Sequence, residues 1–61
     1  VIDMIVVNIY YKDKEGLANS KDYDGFGEVD FIEAIKLAIE KVMIEDSMAV
    51  VKVIHAYEVK Q

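Results

Sequence analysis

Asp30-Phe31-Ile32-Glu33-Ala34-Ile35-Lys36-Leu37-Ala38-Ile39-Glu40-Lys41-Val42-Met43-Ile44 is the stretch that decides how this chain folds. Asp30 and Glu33 have the spacing of a capping box, in which the Asp side chain accepts from the N3 amide and the Glu reaches back to the cap. A helix is therefore expected to start there. At about 100° per residue, Phe31, Ile32, Ile35, Ala38, Ile39, Val42 and Met43 fall into one apolar stripe, with Lys36, Glu40 and Lys41 away from it. That stripe is the expected core face. Leu37 and Ile44 project on the other side, among Asp30, Glu33 and Glu40, and are candidates for a contact surface. Glu45-Asp46-Ser47 ends the pattern, because acidic residues at a helix C-terminus oppose its dipole.

Upstream, Ile2 to Tyr11 is rich in β-branched and aromatic residues. Ile5, Val7, Ile9 and Tyr11 share one face of a predicted strand, and Met4, Val6, Asn8 and Tyr10 the other. Lys12-Asp13-Lys14-Glu15-Gly16 has the composition of a reversal. Leu17 to Gly27 is ambiguous, either a short weak strand around Leu17 to Ser20 or a ligand loop. Downstream, Met48 to Val59 reads as a second long strand. Simple alternation puts Ala49, Val51, Val53, His55, Tyr57 and Val59 toward the helix, and Val50, Lys52, Ile54, Ala56 and Glu58 away from it.

These elements predict an α+β fold over residues 1–61: a small β-(β)-α-β domain with one amphipathic helix packed on a two- to three-stranded, mainly antiparallel sheet. A chain of 61 residues has room for one domain only, and it buries just ~60% of the surface its unfolded form exposes. It has no cysteine, so disulfides and thiolate metal sites cannot reinforce it, and oligomerisation or an oxygen-ligand metal remains. One helix leaves the outer sheet face uncovered, and a homodimer through Met4, Val6, Tyr10, Val50 and Ile54, or through sheet edges, is the expected remedy.

The formal net charge is −5, and all seven basic residues are lysines. Direct binding to a nucleic-acid backbone is disfavoured, since that affinity comes from basic side chains neutralising phosphates. A basic protein partner is the expected target. No apolar run reaches the roughly 18 residues that span a bilayer, and Val1 to Tyr11, broken by Asp3 and Asn8, lacks a signal peptide's basic flank. A cytoplasmic location is the expectation. Pro, Trp, Thr, Cys and Arg are all missing, a narrow alphabet of the kind met in low-GC or viral coding sequences.

Asp22-Tyr23-Asp24-Gly25-Phe26-Gly27-Glu28-Val29-Asp30-Phe31-Ile32-Glu33 resembles the twelve-residue calcium loop of the EF-hand family. Acidic residues stand at its first, third, ninth and twelfth positions, with glycine at the sixth and an aliphatic at the eighth. The resemblance implies Asp22, Asp24, Glu28, Asp30 and Glu33 as an oxygen ligand set for Ca²⁺. The pattern departs from the family at Phe26, where an oxygen ligand belongs, and no entering helix precedes it.

His55 is the single histidine, and Ser20 and Ser47 are the only hydroxyl nucleophiles besides the tyrosines. An enzyme or ligand-binding subunit would therefore need a site shared between protomers. The leading expectation is a small acidic, non-enzymatic protein-binding module of accessory or inhibitor type, without a cofactor. Asp30, Glu33, Leu37, Glu40, Ile44 and Tyr23 would meet the partner, their carboxylates imitating the charge track of a nucleic acid.

Overall fold

The computed structural model describes residues 3–60. The elements run β1 (Asp3–Lys12), β2 (Ala18–Tyr23), α1 (Phe31–Glu45) and β3 (Val50–Lys60). The strands form one antiparallel sheet in the order β2-β1-β3; the antiparallel pairing and the single helix packed on the sheet are those the sequence predicts. The weak second strand exists and runs three residues beyond its expected end, to Tyr23. The Ile2 end of the first predicted strand lies outside the described residues.

The β1–β2 turn is organised by Asp13. Its Oδ1 accepts from the Glu15 and Leu17 amides at 2.9 and 3.0 Å, and its Oδ2 from Asn19 Nδ2 at 2.8 Å. Gly16 closes the turn with a φ of 80°, the left-handed region where a side chain would be strained. These bonds hold the Asp13 carboxyl below its usual pKa of 3.8, the Leu17 amide contributing most.

Asp30 caps α1 by accepting from the Glu33 amide at 2.8 Å, and among the described residues the Glu33 carboxylate makes no reciprocal bond to the cap. The last turn of α1 carries no basic residue. Lys21 of β2 meets that need from outside by pairing with Glu45. Asp46 Oδ2 accepts from the Lys14 amide at 2.9 Å, which ties the hairpin turn to the helix end.

The core lies between the helix and Val7, Ile9 and Tyr11 of β1, with Ala34, Ala38 and Val42 facing them. Ala34 and Ala38 are fully buried, so the helix approaches the sheet along its smallest side chains. The buried stripe is thus turned from the expected one: Ile32 and Met43 sit at its exposed margin, Ile32 at 80%. Ala34 won the central place because a bulkier residue there would hold the helix off the sheet.

β3 departs from simple alternation. Tyr10 pairs with Val53 and Tyr11 with Val51, leaving Lys52 as the extra residue of a bulge. Beyond it the phase inverts, because adding one residue swaps the two faces. Ile54 and Ala56, paired with Ile9 and Val7, therefore join the helix side. Val53, His55, Tyr57 and Val59, expected against the helix, lie on the outer face, while Ala49 and Val51 stay where alternation put them.

β2 pairs only with Val7–Lys12. Past Val7 the sheet narrows to a two-stranded ribbon of β1 and β3, and the molecule is long, 41 × 16 × 14 Å.

Candidate partner-binding surface

Nearly every carboxylate near the hairpin end is committed to structure: Asp13 to its turn, Glu45 to Lys21, and Asp46 to the Lys14 and Met48 amides. Along the loop after β2 and the outer side of α1 the situation reverses. The Asp24, Glu28, Glu33 and Glu40 carboxylates are exposed and enter no hydrogen bond or ion pair among the described residues. Ile44, 84% exposed, lies one turn beyond Glu40, and Leu37 is half-buried between Glu33 and Glu40. Asp30 is exposed too, but its side chain is spent on the cap.

Two features alter the surface expected from sequence. Lys36 is exposed and falls at helical spacing from both Glu33 and Glu40, so it interrupts the acidic track. Its position one turn from each glutamate was the signal that could have shown this. Tyr23 does not belong to the surface at all. It pairs with Val7, faces the helix side and packs on the core, and its hydroxyl is shut off from solvent without a hydrogen-bond partner among the described residues. Burial, then the nearby Glu45 carboxylate, raise its phenol above the usual pKa of 10.0.

The loop that resembles a calcium site is arranged differently from one. Asp22 lies inside β2 on the outer sheet face, where its Oδ1 accepts from Asn8 Nδ2 at 2.8 Å. Phe26 packs toward the core, and Lys41 Nζ stands 5.2 Å from its ring centroid. Among the described residues no three acidic or histidine side chains converge on one point.

His55 is exposed on the outer face, its ring tilted against Tyr57 at 5.3 Å between centroids. Ser20 shares that face but is separated from His55 by the whole of β1, two strand spacings or about 10 Å. Within one chain the two are too far apart for a base to activate a hydroxyl. Across the middle of this face Asn8 is flanked by Asp22 on β2 and His55 on β3, and its amide donates to both Asp22 and Ser20 Oγ, the latter at 3.0 Å.

No helix among the described residues is long and apolar enough to cross a membrane. The chain matches no protein-family model, no curated protein and no solved structure. Its chemistry has to be read from its own surfaces.

Proposed function

We propose that this chain is a small non-enzymatic protein-binding module of accessory or inhibitor type, working as a homodimer and engaging a basic partner. The contact runs along the loop after β2 and the outer side of α1. One observation carries the reading: four uncommitted carboxylates, Asp24, Glu28, Glu33 and Glu40, are gathered there beside the exposed Ile44, whereas Glu15 and Glu58 stand apart from them. Carboxylates without internal partners are available to lysines and arginines of another protein at no structural cost, and they steer association at long range. An exposed isoleucine among them supplies the apolar anchor that charge alone lacks.

The test compares wild type with the double charge reversal Glu33→Lys/Glu40→Lys as bait in a nuclease-treated native lysate, at low and moderate salt. Wild type should retain a basic protein in a salt-sensitive way. The variant should lose it at least tenfold while keeping its circular dichroism spectrum, because exposed helix charges contribute little to stability. Equal capture by both proteins would refute the acidic-surface reading.

A further inference from the structure

The outer face of the sheet is the part of this molecule least explained by a single copy. Its paired positions include Met4, Val6, Tyr10, Val53, Tyr57 and Val59. A sheet face that meets water normally carries polar residues at these alternate positions. Here Val53 is 59% exposed and Tyr10 45%. Charge is also missing. In a chain with twelve acidic and seven basic residues, the only charged residues at paired positions of this face are Lys12 and Asp22, of opposite sign.

That neutrality identifies the occupant. Two copies of a chain with net charge −5 repel wherever their charged surfaces meet, and the outer face is the broad surface where they do not. A basic protein finds no line of carboxylates there, and an acidic one finds only Lys12 at the paired positions. We propose that the outer face is the interface between two copies of this chain, packed sheet on sheet about a two-fold axis. This deepens the homodimeric part of the proposed function and rests on it; the acidic surface of α1 stays outside the interface.

The dimensions suit a weak, reversible pair. Strands of ten and eleven residues extend about 35 Å at the usual rise, and two to three strand spacings add about 10–15 Å of width. Both protomers together then bury roughly 700–1,050 Å², the size of a weak, reversible interface. The Asn8 side chain enters such an interface with both amide hydrogens already given to Ser20 and Asp22. Asn8 Oδ1 remains as an acceptor and His55 as a donor, so one polar row in an apolar interface fixes how the two sheets align. The corrected interface therefore keeps Met4, Val6, Tyr10 and Val50, loses Ile54 to the core, and gains Val53, His55, Tyr57 and Val59.

Sedimentation equilibrium from micromolar to millimolar concentration tests this. Wild type should sediment at twice the 6.9 kDa chain mass. Val53→Lys should raise the dimer dissociation constant at least about a hundredfold, because it buries an unpaired charge, and should stay folded, since the side chain is exposed in the protomer. Ile44→Lys, on the helix, should remain dimeric. A wild type that stays at 6.9 kDa throughout, or a folded Val53→Lys dimer as edge-to-edge pairing would give, overturns the proposal. Should Val53→Lys fail to fold, single cysteines decide in this cysteine-free chain. A short bis-maleimide should join copies through Val53→Cys and not through Ile44→Cys, and the reverse result overturns it. Dimer mass and capture of a basic protein are separate readouts, so this proposal and the acidic-surface reading fail independently.

Discussion

The two faces of the sheet are built from the same strands and much the same residue types, yet they differ in almost every physical respect. On the helix side Val7 and Ile9 have no exposure at all, and Ala34 and Ala38 press the helix against them. On the outer side Tyr10 and Val53 stand in water while only Val6 is buried. Hydrophobicity alone does not make a core. A second layer close enough to exclude water does, and in the single chain only one side of the sheet has it.

The sharpest way to break this contrast is to shorten one side chain on each face. Ile9→Ala should cost about 3 kcal/mol, enough to leave much of so small a domain unfolded. Val53→Ala should cost under about 1 kcal/mol in urea titrations at concentrations where copies are single. Equal losses would erase the distinction between the faces. A smaller effect concerns how firmly the covering layer is held: Asp30→Ala removes the cap of α1 and should lower stability by about 1 kcal/mol in the same titration. No change would mean that the helix end is secured by packing alone.

The mildest test is pH. Lys21, raised by its hydrogen bond to Glu45, and Tyr23, raised chiefly by burial, both contribute stability that is complete below their unfolded values and fades as pH rises through the raised ones. Asp13, lowered chiefly by the Leu17 amide, contributes stability present above its unfolded value and lost as pH falls through the lowered one. The melting temperature should therefore be level near neutrality and decline above about pH 10 and below about pH 4. Lys21→Met should flatten the alkaline decline. An unaltered decline would remove the Lys21–Glu45 contact from the account of how β2 and the helix end are joined.

Much of this architecture was legible in the residues. Asp30 and Glu33 announce the helix start, and the structure begins the helix at Phe31. The alternation of Ile5, Val7, Ile9 and Tyr11 gave the right face of β1, because Asn8 on the opposite phase breaks the tie. β3 offered no such tie-breaker. Val50, Val51, Val53, Ile54, Ala56, Tyr57 and Val59 are apolar on both phases, so nothing local reveals that one residue near Lys52 is extra. The helix stripe misled for a related reason: its hydrophobic centre falls among the larger side chains, whereas its contact centre follows the smallest. The surface was legible as charge but not as availability. Which carboxylates are spent on turns and caps depends on partners distant in sequence, such as Lys14 for Asp46 and Lys21 for Glu45.

The pairing of Asp3 with Lys60 places the two described ends of the chain side by side at the tip of the narrow ribbon. A force applied between them would pull the strands apart across the sheet, loading one rung at a time instead of shearing the whole ladder at once. Such a zipper should yield gradually from the ribbon tip and leave the helix and the Asp13 turn until last. As a mechanical object the domain is weak at the end where its strands meet and strong at the end where its chain turns.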